Sequence, residues 1–198
     1  RRNIESQFAL FTQKLRPLLE RWLLRSENYL PLVQEIFTRA GLPHELAYLP
    51  FIESGYSPRA LSHAGARGIW QFMPATGRRF GLACCGETDE RTDPVKSTLS
   101  AAAYLRKLYL RFNDWSLALA AYNAGEAKIT RLLKKSGSQD FFQLARVNDN
   151  MPKAYRLRRE TLLYVPRFIA MVKIIGNLDQ LGFESPSWYA KPTSVTSA

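Results

Sequence analysis

Glu53 is a lone acid closing the run Leu46-Ala47-Tyr48-Leu49-Pro50-Phe51-Ile52, and the chain turns directly after it at Ser54-Gly55. A carboxyl carried into apolar surroundings is poorly solvated as an anion. Its pKa rises, and it can keep a proton near neutral pH and donate it. The simpler alternative is an acid at a helix end, pointing into water. Three later segments hold more polar and aromatic side chains than helix packing requires. In the first, Ser62 to Pro74, Gly65 and Gly68 allow close backbone approach, and Gln71 sits among large apolar groups. That segment is either a tight turn with a stray amide or a buried amide facing a polar ligand, walled by Trp70, Phe72 or Met73. The second is Ala120-Ala121-Tyr122-Asn123-Ala124-Gly125, where taken alone a helix cap is favoured over a cleft contact. In the third, Glu160 and Tyr164 are four apart and share a helix face. A salt bridge to one of the many arginines is the default account of Glu160.

The elements that must position these groups read as helices. Ile4, Phe8, Phe11, Leu15, Leu18 and Trp22 recur at spacings of three and four, one stripe that Pro17 should kink or split. Leu30, Val33, Phe37 and Ala40 repeat the pattern up to Gly41, Pro43 opens a short helix, and Pro50 forces a kink or restart before Glu53. Residues 54 to 67 form a loop by composition, Pro74 opens another short helix, and Gly86 to Thr92 is polar and expected to be exposed. Asp93-Pro94 starts a helix running to about Phe112, burying Leu99, Ala102, Leu105 and Leu108. Asp114 caps the next, Trp115 to Tyr122, apolar on every side and therefore central. Ile129, Leu132 and Leu133 mark a further short helix, residues 136 to 152 are mixed and polar, and Pro166 should split or kink the last helix, Arg159 to Asn177. Residues 183 to 198 read as a loose tail or the start of a linker. No strand and no repeat stands out, so the fold is expected to be mainly α.

At 198 residues the chain holds one sizeable core or two small ones. No apolar run approaches a membrane span. The first residue is Arg with no leader before it, which reads as a mature or trimmed chain whose export signal or anchor is out of view. The net charge of +11 suits polyanions such as nucleic acid, anionic lipid or acidic wall polymers, but the basic residues are scattered and favour no single partner. Cys84 and Cys85 are adjacent and share no ligand spacing with His44 or His63, so neither a metal nor a cofactor is expected. The pair is open between free thiols and a strained bond between neighbours.

Taken in order, Glu53-Ser54-Gly55, Gly68 to Pro74, Ala121 to Gly125, and Glu160-Thr161 with Tyr164-Val165-Pro166 resemble the soluble lytic transglycosylase group of lysozyme-like enzymes, glycoside hydrolase family 23. Gly41-Leu42-Pro43, Leu46, Leu49-Pro50 and Trp70 point more narrowly to the membrane-bound lytic transglycosylase D branch. The resemblance runs from about Tyr29 to Gly176. It implies a goose-type lysozyme-like helical domain over residues 41 to 182, with residues 1 to 40 as N-terminal helices packed on it. Glu53 matches the catalytic acid. Ser54 supports the local turn, and Ser62, Gln71 and Met73 match the cleft loop. Tyr122 and Asn123 match the pair beside the scissile bond, the phenol contacting Glu53 or the sugar, and Glu160 and Tyr164 match the opposite wall. Many relatives have Leu-Met where this chain has Ile69-Trp70, and the cysteine pair lies outside the family pattern.

The substrate so implied is the peptidoglycan glycan strand, cut between N-acetylmuramic acid and N-acetylglucosamine in the periplasm or cell envelope. Wall-binding repeats or a membrane anchor, common in that branch, would lie outside this segment, and no nucleic acid is expected. Ordinary glycosidases use two carboxylates. Glu53 is the only acid in its motif, and Glu35, Glu45 and Glu87, its sequence neighbours, match no catalytic position. That pattern suits a single acid and base with the sugar's own 6-hydroxyl as nucleophile, closing a 1,6-anhydro ring. The competing readings are a goose-type hydrolase that admits water, a silent glycan-binding module, and a basic helical nucleic-acid binder.

Overall fold

The computed structural model describes residues 2–84 and 88–189, which are mostly helical. α1 (Arg2–Ala9) leads to α2 (Arg16–Ser26) through a wide turn at Leu10–Lys14, where the Leu15 amide donates to the Leu10 carbonyl at 2.8 Å. The five-residue reach of that bond inserts one position into the helical repeat. Pro17 falls in the first turn of α2, where its missing N–H leaves no bond unmade. The buried stripe runs from Phe11, within the insertion, to Leu19 and Leu23 beyond it, and the expected Leu18 and Trp22 are displaced to its flank.

α3 (Leu30–Arg39) ends as expected at Gly41, with φ +65 and its amide donating to the Thr38 carbonyl at 3.0 Å. A tight turn at His44–Tyr48 then feeds α4 (Leu49–Ser54), and Pro50 sits in the first turn of this restarted helix. α5 (Pro74–Arg79), α6 (Pro94–Phe112), α7 (Trp115–Ala124), α8 (Glu126–Ser136), α9 (Phe141–Val147) and α10 (Arg159–Ile175) follow. Asp93 Oδ1 accepts from the amides of Val95 and Lys96 at 2.9 Å, and Asp114 Oδ1 accepts from Leu117 at 2.6 Å, so both expected caps form. Among the described residues there is no strand, only isolated bridges pairing Leu61 with Arg67 and Arg67 with Phe72. None of the described helices is long and apolar enough to cross a membrane.

α7 is the hub. It packs on α6, α8, α9 and α10, and Leu117 to Ala121 are buried on every side. α10 in turn lies against α1 and α4. Pro166 does not split α10, which continues across it. Its neighbours Tyr164, Val165 and Phe168 are all buried, and their packing holds the helix where one backbone bond is missing. Leu99, expected in the core, is 55% exposed, because the buried face of α6 instead runs through Thr98, Ala101, Ala102, Leu105 and Leu108.

Of the tail expected over residues 183 to 198, Phe183 to Tyr189 does not hang loose, and residues 190 to 198 lie outside the described residues. Arg16 stacks over the Phe183 ring at 4.0 Å, Trp188 Nε1 donates to Ser26 Oγ at 3.0 Å, and the Ser187 amide donates to Glu27 Oε1 at 2.8 Å, so the segment is strapped onto α2.

Candidate active site

Glu53 occupies the last turn of α4, whose Leu49, Pro50 and Phe51 are buried. Gly55 stops the helix there in a left-handed turn, φ +59, and a Cβ at this position would lie 2.2 Å from the Trp22 indole. No other residue fits. Ser54 Oγ donates to the Ile69 carbonyl at 2.9 Å, which ties the end of α4 to the loop carrying Gln71. It also accepts from the Ser57 amide at 3.2 Å, the local turn support expected of it.

Glu53 is half-buried, and its carboxyl accepts a hydrogen bond at Oε1 from the Tyr164 hydroxyl. Burial pushes its pKa up to about 7, against the Tyr164 bond, which favours the anion. Glu160 adds to the rise and Arg167 opposes it. The phenol on Glu53 is therefore Tyr164 rather than Tyr122. Tyr122 donates its hydroxyl to the Trp70 carbonyl at 2.8 Å, while standing near enough for Glu53 to raise its own pKa. Both phenols stay neutral at physiological pH, each pushed well up by burial.

A raised pKa in the folded state has a thermodynamic consequence. Between pH 4.5 and about 7 the folded chain binds more protons at Glu53 than the unfolded chain does. Stability from this group is thus complete below pH 4.5 and lost as pH rises through about 7. Glu53→Gln removes that loss, so the variant is expected to be more stable than the parent at pH 8, by up to about 3 kcal/mol, and close to it at pH 4. Urea denaturation at the two pH values checks this. Equal stability differences at both would show that the carboxyl is not strained by burial.

Asn123 joins the opposite wall together. Its Nδ2 donates to Glu160 Oε1 at 3.4 Å and its Oδ1 accepts from Thr161 Oγ1 at 2.8 Å, bridging the end of α7 to the start of α10. Glu160 is exposed and, among the described residues, makes this contact instead of the expected arginine salt bridge. Gly125, with φ +91, ends α7 two residues beyond Asn123.

The Gln71 loop has a different logic. Gln71 is held at φ +49, a conformation costly for a residue with a side chain, and its Nε2 donates to the Gly68 carbonyl at 2.9 Å. The amide's donors are thus turned into its own loop. Ser62 closes the loop's other end, its Oγ accepting from the Ala66 amide at 2.9 Å. Of the proposed walls, Trp70 and Phe72 are core. Trp70 is fully buried, stacks on Phe37 at 5.3 Å and donates to Thr98 Oγ1 at 2.9 Å. Met73 alone is open, 42% exposed.

The segment expected to be exposed supplies what holds this loop. Arg91 is 4% exposed, and its Nη1 donates to the carbonyls of Gly65 at 2.7 Å and Phe72 at 2.9 Å. Asp89 receives Arg91 through Nε at 2.9 Å and Nη2 at 2.6 Å, and Arg67 through Nη1 at 3.1 Å. Hydrogen bonds from Arg91 first, then Arg67, hold the Asp89 carboxyl well below the usual carboxylate range. Gly68 must be glycine, because its Cβ would stand 1.8 Å from the Arg91 carbonyl oxygen. Cys85 lies outside the described residues, so the cysteine pair is seen only at Cys84, which packs against Gly77 of α5. No group of three or more potential metal ligands occurs among the described residues.

Residues 34–145, more than half of the chain, match the model of the transglycosylase SLT domain. The chain belongs to that family. Glu53, Ser62, Gln71, Met73, Tyr122 and Asn123 fall within the matched SLT segment, whereas Glu160, Tyr164 and Arg167 lie beyond its end. Membrane-bound lytic murein transglycosylase D of Escherichia coli strain K12 is 36% identical over 169 residues, 83% of this chain. The chain spans about a third of that relative's length, 35%. Among solved structures, the 70-kDa soluble lytic transglycosylase in complex with bulgecin A superposes over 96% of this chain and 30% of its own, with TM-score 0.64 and 21% identity. An inactive mutant of the lytic transglycosylase Slt from Pseudomonas aeruginosa gives TM-score 0.59 and 24% identity over 79% of this chain and 25% of its own. These likenesses establish the lysozyme-like SLT fold.

Proposed function

We propose that this SLT domain cleaves peptidoglycan glycan strands at the N-acetylmuramic acid to N-acetylglucosamine bond without water, leaving a 1,6-anhydro end, in the bacterial cell envelope. The observation that carries the reading is a single carboxyl, Glu53, buried enough to hold a proton near neutrality and bonded by the Tyr164 hydroxyl. Protonated Glu53 gives its proton to the leaving glycosidic oxygen as the C–O bond breaks and an oxocarbenium-like centre forms. The resulting carboxylate, stabilised by Tyr164, then takes the proton from the sugar's 6-hydroxyl as that oxygen bonds to the anomeric carbon. The proton count closes, with Glu53 returned to its starting form. Substrate binding supplies a nucleophile already in place, so the protein need only fix its orientation. Ser62, Gln71 and Met73 on one side, and Tyr122, Asn123, Glu160 and Tyr164 on the other, form the proposed glycan-binding walls.

Glu160 is the observation that favours a rival. A second carboxylate near Glu53 is what a hydrolase would use as base for water. Here Glu160 is exposed and bonded by Asn123, and its proposed role is to bind sugar hydroxyls. Removing its charge lowers the Glu53 pKa. Glu160→Gln is therefore expected to keep cleavage within about tenfold, with the alkaline limb of the rate profile moved to lower pH. Loss comparable to that of a Glu53 variant would make Glu160 the base of a hydrolase. Solubilisation of purified peptidoglycan by the isolated domain tests catalysis against silent binding: fragments are expected in the supernatant, and binding without release would contradict the proposal.

A further inference from the structure

Helix α1 lies outside the segment matched by the SLT family, yet it touches the surroundings of Glu53. α1 packs along α10, and at their contact Gln7, only 6% exposed, accepts at Oε1 from Arg167 Nε at 3.1 Å. Arg167 follows Tyr164 by three residues and so shares its helix face, and Tyr164 carries the hydroxyl bonded to Glu53. A guanidinium on a long flexible stem spreads over many rotamers when nothing holds it. A buried amide oxygen on its Nε selects one of them.

We propose that Gln7 is a positioning residue, pinning Arg167 as a fixed positive charge beside Glu53, so that the N-terminal helix sets the charge environment of the reacting acid. This rests on Glu53 being that acid. The groups acting on the Glu53 carboxyl are Tyr164, Glu160 and Arg167 from α10, with the Tyr122 phenol close by on α7. The turn packed on α4 brings His44, Glu45 and Tyr48, but Tyr48 interacts with Glu45 and Tyr189. α1 adds Arg2, Glu5 and Gln7. Arg167 is the cation in this set, and its charge adds to the larger effect of the Tyr164 bond in opposing burial and Glu160 at this carboxyl. The purpose follows from the chemistry. One group that must first give and then take a proton works best with a pKa near the working pH, and an uncompensated buried carboxyl would hold its proton too tightly to be regenerated as a base.

The test is the pH profile of kcat/KM on a soluble glycan-strand fragment, for Arg167→Met, Arg167→Lys, the near-isosteric Gln7→Met, and the double variant. Arg167→Met is expected to move the alkaline limb up by on the order of half a pH unit, and Arg167→Lys to leave it close to the parent. Gln7→Met should move it the same way by less, and should add nothing once Arg167 is Met. An unmoved limb in Arg167→Met, or a Gln7→Met shift that persists in full in the double variant, would overturn the proposal. Should Gln7→Met merely loosen α1, its effect will be independent of residue 167, and the double variant reports that as an additive shift. Activity retained by Glu53→Gln is a separate result, which strikes the identification of the acid and not the pinning of Arg167.

Discussion

Glu53→Gln is expected to lower the rate of glycan-strand cleavage by about a thousandfold while leaving the fold and glycan binding intact. Gln fills the same space and can still accept from the Tyr164 hydroxyl at Oε1. What it cannot do is release a proton to the leaving oxygen or accept one from the 6-hydroxyl, so both halves of the proposed reaction fail together. Release of soluble fragments from purified peptidoglycan measures the loss, and co-sedimentation with the same material measures the retained binding. A variant that keeps most of its activity would remove Glu53 from the mechanism. The opposite behaviour of the same substitution in stability, a gain at pH 8, separates a functional carboxyl from a structural one.

The second large effect falls on stability. Arg91→Met is expected to cost about 3 kcal/mol or more at pH 7, read as a lower urea midpoint. The Gly65 carbonyl loses the Arg91 donor, the Phe72 carbonyl is left with the Arg67 amide, and the Asp89 carboxylate, 9% exposed, loses its principal partner. Arg91→Lys should recover only part, since an ammonium cannot reproduce the two-pronged bond to Asp89 together with both carbonyl contacts. The pH dependence follows from Asp89. Its folded pKa is depressed below 3.8, so its contribution is present above that value and lost as pH falls through the folded pKa. Acid sensitivity from Asp89 is expected in the parent and should be largely absent in Arg91→Met. Equal stability of parent and variant would mean that the Gln71 loop holds itself.

The contrast between Glu53 and Arg91 shows what the sequence could convey. Glu53 sits in an apolar run with a glycine stop close behind it, and both its strained carboxyl and its turn follow from neighbours in the chain. The caps at Asp93 and Asp114 and the stop at Gly125 were legible for the same reason, since capping is a contact over three residues or fewer. α9 carries the same signal in Asp140 before Phe141-Phe142, its Oδ1 accepting from the Gln143 amide at 2.8 Å, although the surrounding stretch reads as mixed and polar. Arg91 gave no local sign of burial. Its partners Gly65 and Phe72 lie 26 and 19 residues away, and only the folded loop brings their carbonyls to it. The choice of Tyr164 over Tyr122 at Glu53 was hidden in the same way, because it depends on how closely α10 approaches α4. Pro17 and Pro166 divide along a similar line. The first could start a new helix within the chain's own geometry, while the second was overridden by tertiary packing.

The product end decides the central claim. Purified peptidoglycan digested by the isolated domain should yield muropeptides ending in 1,6-anhydro-N-acetylmuramic acid, one water lighter by mass spectrometry than the products of a lysozyme, and none should form with Glu53→Gln. Products carrying a free reducing end would instead show that water, and not the sugar's own hydroxyl, attacks beside Glu53.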